Sequence, residues 1–246
     1  MTVWSEGRPA IHIICRSYQI SRVRRSFATP QPLTDFPTLA AIARMGHKYK
    51  IDVVLETALS KLRMTLVSDL EAWVEDTKGQ CVTHTPHLYA IEAVNLFRRV
   101  QRPDMLHIPM YLCSLLDPDL LVGGTRRKDG TLERLSPEDL ALCIGARQRL
   151  TLWCLKELAS LCYNPHNSPH CAQMCEWHLK RQFCSYATGA HQMHLCSPLH
   201  FLCSLRMRVK SHSNICIVCK SSETEYLIRR KAEVFGSLHS LTLDTE

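Results

Sequence analysis

From Leu39 onward, apolar residues recur at helical spacing in one segment after another. A period of 3.6 puts one stripe of each segment against a shared core and turns the rest toward water. Leu39, Ile42, Ala43 and Gly46 form the first such stripe, opened at Thr34 or Asp35 and ending near Tyr49. Leu55, Ala58, Leu59, Leu62 and Leu66 form the second, with Asp52 placed to cap its start and the pattern running on toward Trp73. Leu88, Ile91, Ala93, Val94 and Phe97 form another, and "DMLHIPMYLCSLL" (104–116) the next, with Pro109 expected to kink or shorten it.

One interruption has a different character. Asp129-Gly130 lies between two short segments, and this dipeptide favours the left-handed angles of a tight hairpin. A hairpin is therefore expected near 122–135. Gly123-Gly124 leads into it and is accounted for by turn geometry. Ser136-Pro137-Glu138-Asp139 then opens a long helix. Its hydroxyl caps free amides, proline suits the first turn, and two acids meet the positive helix end. That helix should reach about Leu161. Beyond Cys162 the helical period fades into a Cys- and His-rich stretch, until "SSETEYLIRRKAEVF" (221–235), which Gly236 is expected to close in a left-handed cap.

The chain has 246 residues, 46% hydrophobic and 22% charged, enough for a sizeable core. Its net charge of +7 is modest for that length. The basic runs "RVRR" (22–25) and "RRKAE" (229–233) lack interleaved aromatics and fit solvated faces better than a nucleic-acid surface. No apolar run approaches a membrane span, and no secretory leader is evident, so an intracellular place, cytoplasmic or nuclear, is expected. The organisation expected is a basic arm at 1–26, helices at 27–74, a helical segment with the hairpin at 75–161, and a Cys/His-rich segment with a final helix at 162–246. A short strand at Ile11–Cys15 is the one ordered piece expected in the arm.

Thirteen cysteines in an intracellular chain point to buried thiols or metal ligands rather than bridges. Cys216-Ile217-Val218-Cys219 is the sharpest motif, because a two-residue spacer brings both sulfurs to one side of a metal. The other two ligands of a structural zinc are assigned by position to Cys162 and Cys171, which flank "CYNPHNSPHC". Cys175, His170 and His166 compete for those places, and plain buried thiols remain the competing reading of all four. "HQMH" (191–194) and "CEWHLK" (175–180) are better explained as a surface loop and one turn of helix. No nucleophile elbow, phosphate loop or dinucleotide fingerprint is present, so an enzyme is not expected. No cofactor is required beyond that candidate zinc.

Ala43, Lys48, Tyr49, Ile51, Leu55 (one position late), Ala58 and Leu62 fit the pattern A-x4-K-Y-x-[IV]-x2-L-x3-A-x3-L. That helix pair resembles the end of a BTB/POZ domain. "TRRKDGTLERLSPEDLALC" and "CIVCKSSETEYLIRRKAEVFG" are similar to the C-terminal half of fungal, chiefly basidiomycete, BTB/POZ-containing proteins. The resemblance spans roughly Phe27 to Phe235. It implies a mostly α fold: a helical BTB-end segment plus a helical extension with one short β-hairpin, most of the BTB sheet core being missing. It also implies a truncated, non-enzymatic protein–protein interaction module. The expected partners are a second copy of the chain or a protein reached as an adaptor on a cullin scaffold. A zinc-stabilised module contacting nucleic acid or chromatin is the alternative.

Overall fold

A computed structural model describes residues 35–75, 89–165, 171, 173–188 and 196–243. The expected arm at 1–26 with its strand, most of the loop after Glu75, His166, His170 and 191–194 lie outside them. Among the described residues the chain is mostly α, with ten α-helices and one two-stranded hairpin.

Helix α1 (Phe36–Tyr49) starts one residue after Asp35 and carries Pro37 in its first turn, where a missing N–H costs nothing. The break after it has a specific cause. Lys50 adopts φ 55° and ψ 42°, while the Ile51 and Lys50 amides donate back to the Gly46 and His47 carbonyls. This paired reversal satisfies two helix-end carbonyls and sends the chain into α2 (Asp52–Glu75). The two helices pack so closely that a Cβ on Gly46 would lie 2.8 Å from the Leu55 nitrogen. Ala58, Leu59 and Leu62 are fully covered, and α2 packs on α1, on α4 and on α8, both defined below. The apolar stripe of α2 is thus buried within this chain.

Helix α3 (Ala90–Arg99) ends in a second left-handed residue, Gln101, with φ 56°. A 3-10 turn (Pro103–Met105) leads to α4 (His107–Ser114). The helix is shorter than the expected 104–116, starting so that Pro109 is tolerated near its N-terminus. The proline falls in the first turn, where its absent N–H has no helical partner to lose. A short α5 (Pro118–Gly123), capped by the Asp117 carboxylate, follows unannounced by the sequence pattern. Gly124 then turns the chain at φ 87°, where a Cβ would collide with the Glu133 carbonyl. Strands β1 (Thr125–Arg126) and β2 (Leu132–Glu133) pair antiparallel about Asp129-Gly130, whose aspartate accepts from the Thr131 amide at 2.9 Å. The hairpin is anchored to α3. Buried Glu92 takes Arg44 of α1 at 2.7 Å, Arg127 joins Glu92 to Glu133, and Asn95 donates to Glu133 at 2.5 Å.

Helix α6 (Pro137–Tyr163) starts as its capping sequence requires, with the Ser136 hydroxyl accepting from the Asp139 amide at 3.1 Å. The stretch after Cys162 holds two helices that the sequence pattern did not mark, α7 (Gln173–Thr188) and α8 (Pro198–Ser211). Helix α9 (Ile217–Gly236) begins four residues before the expected start, capped by Cys216. Gly236 is its last helical residue and takes no left-handed angle; Ser237 follows at φ −100°, and α10 (Leu238–Leu243) continues. One connected core runs from Phe36 to Leu238. Polar ties close it. Arg230 and Tyr226 of α9 converge on buried Glu157 of α6, the Tyr111 and Ser197 hydroxyls meet at 2.9 Å, and Arg149 donates to the Leu241 and Thr242 carbonyls.

Candidate metal centre

The sulfurs of Cys171, Cys175, Cys216 and Cys219 all lie within 4.8 Å of one another. Each pair arrives by a local rule. Cys171 stands just before α7, and Cys175 sits in its first turn, four residues on. Cys216 caps α9, and Cys219 lies in that helix's first turn, three residues on. The start of α7 and the start of α9 meet at one end of the bundle, so both pairs face one centre. Cys175 and Cys219 are buried, Cys171 is half-buried and Cys216 is exposed.

The surroundings favour a thiolate. The Cys216 sulfur accepts the Cys219 amide at 3.4 Å, and the Cys216 amide donates to the Cys175 sulfur at 3.4 Å. The Cys171 and Cys216 sulfurs are 3.6 Å apart. The Cys219 amide, with help from the neighbouring thiols, holds the Cys216 thiol down to about 7. The N-terminus of the twenty-residue helix α9 acts in the same direction. Cys171 moves the other way, raised by hydrogen bonding among the neighbouring Cys175, Cys219 and Cys216 thiols. Four convergent sulfurs, with one thiolate formed near neutral pH, are a donor set that can hold a metal ion.

This set differs from the four cysteines chosen by position. Cys171, Cys216 and Cys219 come together, but Cys162 does not join them and Cys175 stands in its place. The reason is the length of α6, which runs unbroken to Tyr163 and carries Cys162 in its last turn. There Cys162 contacts Cys184 of α7, and burial followed by that neighbouring thiol pushes it up to about 12. What keeps Cys162 out of the centre is position: its sulfur is not among the four that converge within 4.8 Å. The i, i+4 spacing of Cys171 and Cys175 was the available signal, and a helix start between them is what makes the spacing converge.

Several charged side chains in the N-terminal half pair with each other. A cleft between α3, β2 and the start of α6 is lined by Asn95, Arg98, Glu133, Ser136 and Asp139, and Arg98 bonds Asp139 at 2.6 Å across it. No helix among the described residues is long and apolar enough to cross a membrane. No protein-family model, curated protein or solved structure matches the chain.

Proposed function

We propose that the chain is a non-enzymatic protein-interaction module whose C-terminal half is braced by one structural zinc ion. The observation that carries the reading is the four-sulfur centre. Tetrahedral zinc at a Zn–S distance of about 2.3 Å needs sulfurs roughly 3.8 Å apart. The 3.6 Å between Cys171 and Cys216 fits that spacing, and all four sulfurs lie within 4.8 Å of one another. All four ligand positions are filled by protein, the arrangement of structural rather than catalytic zinc.

Protein contact is supported by the first helix pair. Met45, Tyr49, Ile51 and Val53 stand exposed around the α1–α2 turn, Val53 at 79%, and Met64 is exposed farther along α2. Apolar side chains gathered on one surface mark a contact for another protein. These residues belong to the helix pair that resembles a BTB/POZ end, which favours homotypic pairing or an adaptor's contact with a cullin-type scaffold. The decisive experiment measures metal by mass spectrometry on the full chain, with light scattering for its assembly state. About one zinc per chain is expected, lost in Cys175→Ser and kept in Cys162→Ser. Metal-free protein with an unchanged melting curve would refute the zinc. A strict monomer that Val53→Asp leaves unaltered in every partner assay would refute the contact face.

A further inference from the structure

Beside the four thiols lies a second cluster, built from three separate stretches of chain. Trp177, His178 and Arg181 come from α7, His212 follows the end of α8, and Lys220 lies in the first turn of α9. The contacts are continuous. The Trp177 indole meets the His178 imidazole edge-on with ring centroids 4.9 Å apart, and His178 meets His212 at 5.2 Å. The Arg181 guanidinium lies 5.1 Å over the indole. Burial first, then the neighbouring His178, Lys220 and Arg181, push His212 below its ordinary value, so Lys220 and Arg181 lie within electrostatic reach of that ring.

Two properties of this cluster ask for a ligand. The first is charge without a counter-charge. Among the described residues, neither Arg181 nor Lys220 forms an ion pair, whereas neighbouring Lys180 is matched by Glu176 at 2.7 Å. From Cys171 to Leu243, nine lysines and arginines stand against four aspartates and glutamates, so this stretch is net basic. The second is planarity. An indole, two imidazoles and a guanidinium are gathered at one place, and the indole is 52% exposed although burial would be its default.

We propose that Trp177, His178, Arg181, His212 and Lys220 form a contact site for single-stranded nucleic acid. A base stacks against the indole while Arg181 and Lys220 take the flanking phosphates. Stacking surfaces beside unpaired cations are what an unpaired strand uses, because its bases present their π-faces. A duplex hides those faces, and an acidic peptide would use the charges but leave the rings idle. The basic runs visible in the sequence are not the site. Its charges come together only when α7, the turn after α8 and α9 converge. None of the five side chains is a sulfur ligand, so the site does not rest on the identity of any metal.

The test is fluorescence anisotropy of a labelled oligonucleotide of about 12 nucleotides, titrated with the full chain as purified, over a range of salt. Binding is expected to weaken about tenfold in Trp177→Ala and to be largely kept in Trp177→Phe. Lys220→Gln and Arg181→Gln should each flatten the log–log salt dependence by about 0.7. Trp177 and Arg181 are surface residues, so unchanged circular-dichroism melting is expected for the variants, and Trp177→Phe gives the reading should Trp177→Ala fail to fold. Absence of binding would overturn the proposal, as would binding indifferent to Trp177 and Lys220. Equal affinity for the matching duplex would also overturn it. So would displacement by polyglutamate with the same Trp177 dependence, which would reassign the site to acidic protein.

Discussion

Replacing Gly46 by alanine should destabilise the protein, although the same change usually stabilises a helix. Gly46 lies within α1, one turn before its end. Alanine there gains about 1 kcal/mol in helix propensity. The packing works against it. The new Cβ would sit 2.8 Å from the Leu55 nitrogen, 3.0 Å from its Cα and 3.1 Å from its Cβ. Ordinary contact begins near 3.4 Å, so α1 and α2 must separate by roughly 0.5 Å, and backbone atoms cannot rotate out of the way as a flexible side chain would. Overpacking of this kind costs about 1–3 kcal/mol. The net loss is then about 1 kcal/mol, a fall in Tm of roughly 2–4 °C for a chain of this size. Gly236→Ala is the internal control. It is also helical, and nothing lies within 4 Å of its Cβ position, so it should hold or raise the Tm. Both variants are read by thermal denaturation followed by circular dichroism, with urea titration as a second measure. A Gly46→Ala protein as stable as wild type, or shifted upward alongside Gly236→Ala, would mean that the α1–α2 contact yields freely and that the close-approach argument is wrong.

Other changes probe the remaining ties. Lys50→Gly should raise stability by about 0.5 kcal/mol in the same melts, because relief of the left-handed angle at φ 55° outweighs glycine's greater unfolded freedom. Arg230→Ala should cost about 2 kcal/mol, since it strips buried Glu157 of a two-pronged partner at 2.8 and 3.2 Å while Tyr226 still donates at 2.6 Å; partial exposure of the arginine keeps the loss below that of a fully buried pair. In chelator-treated protein, Cys216 should be the fastest thiol to alkylate. Its folded value near 7 is depressed, so its rate should climb through pH 7, while Cys162, pushed up to about 12, stays slow; peptide mass spectrometry over a pH series reads both.

The parts of the fold legible in the sequence share one trait: their signals are local. Ser136-Pro137, the Asp129-Gly130 turn and the aliphatic stripe of α2 each state their geometry within a few residues. Helix α7 does not. Its buried face is Cys175, Leu179, Phe183 and Tyr186, a helical period carried by a thiol, one aliphatic residue and two rings, and reading for aliphatic stripes passes over it. The same blindness decided the metal centre. Cys216 and Cys219 are set by spacing, but the choice between Cys162 and Cys175 depends on where α6 ends and α7 begins. The basic aromatic cluster lies further still from sequence reading, because the whole of α8 separates Trp177, His178 and Arg181 from His212 and Lys220. Gly236 does end α9, but not by the left-handed cap expected of it: the chain turns at Ser237 into α10, which packs on α4 and α6.

The seat of α10 also sets a schedule for synthesis. Helix α4 is finished at Ser114, yet one of the surfaces it packs on is α10, whose residues are Leu238–Leu243. At about 5–20 residues per second, roughly 6–25 s of translation separates the two. Through that interval the nascent chain carries part of the α4 and α6 surface uncovered, whereas α1 and α2, neighbours in sequence, can close on each other at once. The emerging polypeptide is therefore most in need of a chaperone in its middle, and the clasp that ends this need is a six-residue helix drawn from the other end of the bundle's order.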